Sequence, residues 1–208
     1  GLGLNHDPWS AATQTVELTT EWQTFTFNIT TADDMGVGFG DDDSRVLFDM
    51  GAEVGDVYID DVSVEIQAIE LLTNRSFDSD VDGWNGGTVA TEDDNNFYQA
   101  DVEVAGNPWE VNLSQVITLI PGKDYELTFK ARGSQARTMI AGLGLNHDPW
   151  SASTVNVDLT TEWQTFTYTI NTTDDMGNTF GDDNSRVLFD MGADVGSVFI
   201  DDVSVTTR

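Results

Sequence analysis

The chain has 208 residues, with 37 Asp and Glu against 8 Lys and Arg, which gives a formal net charge of −29. This charge argues against a nucleic-acid partner and against binding to an anionic membrane surface, and no apolar run approaches the roughly 20 residues that span a bilayer. Because Cys is absent and His6 and His147 are the only histidines, disulfides, thiolate nucleophiles and most histidine-based catalysis are excluded.

The N-terminal segment is repeated later in the chain. Residues 1–65 align without a gap to residues 142–206, and 15 of the 65 positions differ, so 50 are identical. This spacing suits a whole domain rather than a solenoid unit of about 20–50 residues. Residues 67–141 have no counterpart. The sequence therefore predicts a complete module at 67–208, preceded at 1–66 by the C-terminal half of a module of the same kind.

Period-2 alternation of apolar and polar residues indicates strands in both copies and between them. It is clearest at residues 24–29, at the equivalent residues 165–170, and at residues 125–130. Thr and β-branched residues are abundant, as strands prefer. We expect nine or ten short strands per complete module, and hence an all-β fold of the jelly-roll β-sandwich type.

The segment after the junction contains a calcium-loop pattern. Asp78, Asp80 and Asp82 are followed by Gly83, so carboxylates at alternate positions could converge on one cation. Position 89 is Val89 where an EF-hand would have its bidentate Glu, so the segment is not an EF-hand. An acidic turn without a metal is the alternative.

The run that begins at Trp109 combines an aromatic residue with amides. If Val111 and Leu113 face the core, Asn112 faces outward, whereas Gln115 shares the inward face unless the strand bulges. An indole can stack on the apolar face of a pyranose, and amides can both donate to and accept from hydroxyls. We therefore take Trp109, Asn112 and Gln115 as candidate sugar-binding residues, with core packing as the alternative for the indole.

Arg132 and Arg137 are rare cations in this acidic chain, and they could line a groove or form ion pairs. Trp150 follows a His-Asp-Pro segment, and we place it in a loop at the rim of a sugar-binding groove, again with core packing as the alternative. Trp84 and Trp163 are interpreted as structural. Trp150 and Arg132 complete the predicted sugar-binding set.

The last strand carries adjacent carboxylates. Its apolar alternation slips at Asp201 and Asp202, which predicts a β-bulge. Neighbouring carboxylates on a terminal strand repel each other unless they are solvated or neutralised, so both residues join the predicted Ca²⁺ ligands. Two further acidic loops, at residues 174–184 and 33–43, could hold another ion, although a solvated loop is favoured.

Five segments together resemble the carbohydrate-binding modules of the family-4/9 superfamily, especially those appended to laminarinases and other β-glucanases. In order, they are TNRSFDSDVDGW (73–84), NPWEVNLSQ (107–115), PGKDYELTFKAR (121–132), LTTEWQTFTYT (159–169) and VFIDDVSV (198–205). The resemblance implies a β-jelly roll, a structural calcium ion near residues 78–82 and the last strand, a glycan groove on one sheet, and no catalysis. Residues 1–66 lack the N-terminal half that family members hold.

Two functional hypotheses follow. The first is a non-catalytic, extracellular module that binds β-glucan of the β-1,3 type and holds an appended enzyme near its substrate. The second is a structural repeat of an extracellular filament or adhesin. Residues 67–141 can complete only one C-terminal half, so the other half would pair with another molecule, head to tail, or with an upstream segment. Acidic pairs are so common in the chain that proximity in sequence cannot reveal a glycosidase pair.

Overall fold

A computed structural model describes residues 1–32, 38–41, 43–65 and 67–208 of the chain. The chain divides into two compact units, Gly1–Val64 and Glu65–Arg208. Both units are built from antiparallel strands. Within the described ranges, no helix has the length and apolar character needed to cross a membrane.

The described residues of the smaller unit form a three-stranded sheet. Its strands are β1 (Leu2–Leu4), β2 (Ala11–Ala12) and β3 (Ser44–Val46), in the order β2-β1-β3. The strand predicted over residues 24–29 does not form, and Phe25 and Phe27 are 42% and 45% exposed. This prediction was wrong because an alternating segment needs a partner strand, and the unit has no counterpart of the segment that pairs with residues 165–170.

The larger unit is a sandwich of two antiparallel sheets, so the predicted all-β sandwich is confirmed. Its nine strands are β4 (Thr88–Glu92), β5 (Asn95–Val102), β6 (Asn112–Ile117), β7 (Asp124–Gly133), β8 (Arg137–Leu145), β9 (Ala152–Leu159), β10 (Gln164–Asn171), β11 (Ser185–Asp190) and β12 (Gly196–Thr207). One sheet has the order β10-β7-β12-β5-β4, and the other has the order β6-β11-β8-β9.

The core lies between these two sheets and follows the sequence alternation. In β7, Tyr125, Leu127 and Phe129 are buried, while the residues between them face away from the core. Phe129 meets Phe189 of β11 edge to face, with ring centroids 5.0 Å apart, so an aromatic pair joins the two sheets.

The predicted β-bulge in the last strand is also confirmed. The register of β12 against β7 shifts between Asp201 and Ser204, and Asp202 has a φ of +48°. The bulge lets both Ile200 and Val203 reach the core, although three positions separate them.

Candidate functional site

Trp150 lies in the loop that joins β8 to β9. Its backbone amide donates to the carbonyl of His147 over 2.7 Å, and the amide of Leu145 donates to the carbonyl of Ser151 over 2.8 Å. Trp150 has a φ of +62°, a conformation that bulky residues rarely adopt, and it is 55% exposed. A large aromatic ring held at the surface on an unfavourable backbone is a reason to look for a ligand there.

Arg186 of β11 supports the indole. Its guanidinium carbon lies 5.3 Å from the centroid of the Trp150 ring, within cation–π range. The strand register places Arg186 opposite Gly144 of β8 and Val116 of β6. The Nε of Arg186 is buried without a hydrogen-bond partner in the described structure, and burial lowers the pKa of the guanidinium, while the charge of Asp190 raises it. The indole therefore has a fixed position beside the first residues of β11, an inner strand of the four-stranded sheet.

A cleft of about 720 Å³ opens beside Trp150. Pro149 and Met176 contribute apolar surface, and Asp174 and Asn178 contribute polar groups. Met176 is 82% exposed, so the cleft offers an accessible thioether as well as the indole. Apolar surface beside a few polar groups suits a sugar, which has apolar C–H faces and hydroxyls that donate and accept.

Hydrogen bonds fix the β8–β9 loop to the opposite wall of this cleft. Ser151 Oγ donates to Asp174 Oδ2 over 3.0 Å, and His147 Nε2 lies 2.8 Å from Asp182 Oδ2. Nδ1 of His147 lies 2.8 Å from the carbonyl oxygen of Asp148, so only the imidazolium can donate at both nitrogens. The Asp182 carboxylate, followed by that carbonyl, raises the pKa of His147, and His147 lowers the pKa of Asp182.

Three of the predicted sugar-binding residues lie at the four-stranded sheet. Trp109 is 64% exposed in a short 3₁₀ turn that leads into β6. Asn112 begins β6, and its amide donates to the carboxylate of Asp190 over 2.5 Å. Arg186 and Asp190 are four residues apart on β11, or about 13 Å along an extended strand. Trp150 and Asn112 therefore stand beside opposite ends of the same strand.

Gln115 does not belong to this surface. It is buried, its amide nitrogen donates to the carbonyl of Thr73 over 3.0 Å, and its amide oxygen accepts from the amide of Thr73 over 2.8 Å. The alternation of β6 directs it inward, and no bulge reverses that direction. Its prediction as a sugar-binding residue is therefore not supported, and its amide instead holds residue 73 against β6.

Arg132 lies on β7, in the other sheet, and is not brought together with Trp150. Its guanidinium carbon lies 4.8 Å from the ring centroid of Phe199, 5.0 Å from that of Trp163 and 5.8 Å from that of Phe97. Nη2 also forms an ion pair with Glu92 at 2.7 Å. The sequence left open whether Arg132 lines a groove or forms an ion pair, and its contacts show the ion pair.

The predicted calcium ligands on β12 have other partners. Asp201 is buried, its carboxylate accepts from the amide of Asn95 over 2.9 Å, and burial raises its pKa. Asp202 forms an ion pair with Lys130 at 2.7 Å. In the part of the chain that the structure describes, no three acidic or histidine side chains are grouped to hold a metal ion. The five predicted carboxylates are therefore not gathered into a group of three, and their role as calcium ligands stays a prediction.

Hydrogen bonds within the other predicted calcium segment already define its course. The side-chain amide of Asn74 donates to the carbonyls of Asp80 and Asp82 over 2.9 and 3.0 Å. The carboxylate of Asp78 accepts from the hydroxyl of Ser76 over 2.8 Å. Two backbone oxygens that a cation could use are therefore occupied by an amide.

The acidic loop at residues 174–184 closes on itself. Asp174 accepts from the backbone amides of Met176 and Asn178 over 3.0 and 2.9 Å, and these hydrogen bonds close the turn. The equivalent acids Asp33, Asp34 and Asp42 lie outside the described residues.

Arg186 is a site residue that the predicted set lacks, although the sequence carries a signal for it. Each copy of the repeat contains one Arg, Arg45 or Arg186, at equivalent positions, and neither copy contains Lys. A single cation retained in both copies of an acidic segment indicates a specific contact. That the contact is with Trp150 follows only from the register of β11 against β8.

Comparison with known proteins agrees with this architecture. The family model CBM_4_9, described as a carbohydrate binding domain, matches residues 70–180, a little over half of the chain. A solved CBM4 structure is 26% identical, with a TM-score of 0.53, and the match covers 65% of this chain and 99% of that one. The second N-terminal cellulose-binding domain of Cellulomonas fimi β-1,4-glucanase C is 24% identical, with a TM-score of 0.52, over 69% of this chain and 97% of that one. No curated protein matches the sequence.

Proposed function

Because the chain belongs to the carbohydrate-binding domain family CBM_4_9, a family of non-catalytic modules, we propose that it binds a soluble β-glucan, of the β-1,3 type, in the cleft beside Trp150. The observation that carries the proposal is the exposed indole, fixed by Arg186 beside a cleft of about 720 Å³. The choice of β-1,3-glucan rests on the resemblance of five segments to modules of laminarinases. An extracellular location follows from such a ligand.

The contacts suggest how one sugar unit would bind. The indole of Trp150 would cover the apolar face of a pyranose ring, and Met176 would extend that apolar contact. Asn178 faces the same cleft, and its side-chain oxygen can accept from a hydroxyl group at the ring edge, whereas the Asp174 carboxylate already accepts from Ser151, Met176 and Asn178. A recess with one exposed indole suits a single flexible chain, whereas a flat crystalline surface requires several coplanar rings.

Affinity electrophoresis in gels containing laminarin, barley β-glucan, xylan or hydroxyethylcellulose tests the proposal. We expect laminarin to retard the protein, and Trp150→Ala to weaken binding at least about tenfold, because the stacked ring provides most of the contact. Trp22→Ala is the matched control, since Trp22 is 74% exposed in the smaller unit and has no predicted role. Equal retardation of the Trp150 and Trp22 variants would place the ligand elsewhere, and retardation by none of the glycans would refute the proposal.

Structural calcium is a separate proposal, supported by the pattern of Asp78, Asp80 and Asp82 and by the family resemblance. Calcium takes six to eight oxygen ligands, so a site here would need backbone carbonyls and water beyond the available carboxylates. Calorimetric titration of chelator-treated protein with CaCl₂ tests it. If the titration shows no heat of binding and calcium does not raise the melting temperature, the proposal of structural calcium is wrong.

The second candidate function is assembly through the smaller unit. Apolar side chains in this unit are unusually exposed: Phe48 is 48%, Ile59 is 45% and Tyr58 is 75% accessible. Exposed apolar surface of this kind favours association. Light scattering over a dilution series tests for a head-to-tail filament, and a monomer at every concentration would contradict it.

A further inference from the structure

The loop that carries Trp150 has a structural copy at Trp9 in the smaller unit. Trp9 has a φ of +59° and is 56% exposed, and the guanidinium carbon of Arg45 lies 5.4 Å from its ring centroid. For Trp150 and Arg186 the same quantities are +62°, 55% and 5.3 Å. Both units thus present an exposed indole on an arginine in the same way.

The backbone around Trp9 is also repeated. The amide of Trp9 donates to the carbonyl of His6 over 2.7 Å, as in the other loop. Gly3 of β1 pairs with Arg45 of β3 and with Ala11 of β2, which reproduces the pairing of the equivalent strands in the larger unit. The side-chain clamp is present too, because His6 Nε2 lies 2.8 Å from Asp41 Oδ2.

This agreement goes beyond what sequence identity alone produces. Other parts of the two copies differ: Phe189 is fully buried, whereas its equivalent Phe48 is 48% exposed. The Trp9 loop persists because its contacts are confined to β1–β3 and the residues beside them. Its hydrogen bonds link residues 1–12 with residues 41–47 and need no second sheet.

The lining of the Trp150 cleft explains why the smaller unit can retain a binding site. All of the lining residues except Pro121 fall within residues 142–206, which is the segment that residues 1–65 repeat. The half of the module without a counterpart therefore contributes almost nothing to the cleft. A unit that lacks this half still carries the indole, the arginine and the His–Asp clamp, whereas the equivalents of Asp174, Met176 and Asn178 lie outside the described residues.

We propose that Trp9, stacked on Arg45 and held by the His6–Asp41 clamp, forms a second glycan-binding site for the same class of β-glucan chain, so that the protein is bivalent. The inference rests on the proposed function of the Trp150 cleft. A long glucan could then occupy both sites, and linked sites can raise the apparent affinity for a polymer by about 10²–10⁴ over that for a short oligosaccharide.

Calorimetric titration with a short oligosaccharide separates the two sites. The probe is laminarihexaose, or cellohexaose if only the cellulose derivative retards the protein in gels. We expect two hexasaccharides per wild-type chain, one per chain for Trp9→Ala and for Trp150→Ala, none for the double variant, and two for the Trp22→Ala control. Affinity for the polymer should fall at least about tenfold in either single variant, because avidity is lost.

A second substitution checks that loss of binding is not loss of folding. Arg45→Gln removes the cation beneath Trp9 but leaves the indole, so it should weaken binding at the Trp9 site while the circular dichroism spectrum stays unchanged. One hexasaccharide per wild-type chain, lost in Trp150→Ala and retained in Trp9→Ala, would overturn bivalency and leave the proposed function intact. Absence of wild-type binding, or binding retained in the double variant, would overturn both.

Discussion

The two copies of the repeated segment differ far more in burial than in sequence. Of 65 aligned positions 15 differ, yet Phe189 and Ile200 are fully buried, while the equivalent Phe48 and Ile59 are 48% and 45% exposed. In the larger unit, strands from residues 67–141 pair with strands of the repeated segment in both sheets and so complete the core. The apolar alternation of a strand therefore shows which side chains share one face, but it does not show which other strands bury that face.

Short-range structure behaves in the opposite way and is alike in both copies. The amide of Asp61 donates to the carboxylate of Asp60 over 2.9 Å, and that of Asp202 donates to the carboxylate of Asp201 over 2.8 Å. The φ values of Asp61 and Asp202 are +52° and +48°. Turns held by neighbouring residues form wherever their sequence occurs, whereas strand pairing requires a distant partner.

The largest expected difference between the copies concerns the core. Phe189→Ala should lower the free energy of unfolding by about 3–5 kcal/mol, because it leaves a cavity between the two sheets. The equivalent change Phe48→Ala should alter it by no more than about 0.5 kcal/mol, because that ring is half exposed. Urea denaturation of both variants measures the two values. Similar losses would show that the face around Phe48 is covered in solution.

Amide hydrogen exchange should show the same contrast. The backbone of Phe166 is paired between β10 and β7, while that of Phe25 lies in no strand. Because β10 is an edge strand, only alternate amides of residues 164–171 bond to β7. We expect those amides to exchange at least about a hundredfold more slowly than the amides of residues 23–30, because paired amides exchange only when the sheet opens. Peptide-resolved mass spectrometry measures both segments in one experiment. Equal protection would contradict the difference in pairing.

Much of the fold was predictable because it depends on local alternation. Residues 125–130 alternate and form β7, and the phase slip at Asp201 marks a real bulge. Residues 24–29 alternate equally well and form no strand. The pattern alone does not state whether a partner strand exists, which is why the prediction failed in one copy and succeeded in the other.

The candidate site was predictable in part. Trp150 was identifiable as a candidate by residue type and by its expected loop position, although core packing was the alternative. The contact of Arg186 with Trp150 depends on the register between β11 and β8. The direction of the Gln115 side chain depends on whether β6 contains a bulge. The register between two strands cannot be derived from residue types within one of them, and the alternation of β6 left both orientations of Gln115 open.

A smaller effect is expected at the adjacent carboxylates Asp201 and Asp202 and at their copies Asp60 and Asp61. Burial raises the pKa of Asp201, so its ionised form costs stability at neutral pH. In chelator, Asp201→Asn should therefore leave the melting temperature unchanged or raise it slightly, and Asp60→Asn at the exposed copy should have no effect. Thermal melts with and without calcium measure both. A marked loss of stability in Asp201→Asn that occurs only with calcium present would instead support the proposed metal site.

The smallest effect, and one that should be equal in the two copies, concerns the histidine clamps. The pKa of His147 is raised mainly by Asp182, and that of His6 by the carbonyl of Asp7 and then by Asp41. A raised histidine pKa gives stability that is complete below the ordinary value of 6.5 and is lost as the pH rises through the folded value. The lowered pKa of Asp182 gives stability that is present above 3.8 and is lost as the pH falls through its folded value. The clamp should therefore be strongest in mildly acidic solution.

The two histidines make this prediction directly measurable. Since His6 and His147 are the only ones in the chain, a proton NMR titration should show two imidazole signals, and His147→Gln assigns them. Both should titrate above pH 6.5, because each ring nitrogen faces an oxygen acceptor. If only His147 does so, the clamp is absent from the smaller unit in solution, and the Trp9 loop loses the contact that fixes it. If the pKa values of His6 and His147 are equally raised, the histidine clamp forms in both copies, although only the copy in the larger unit has a buried core.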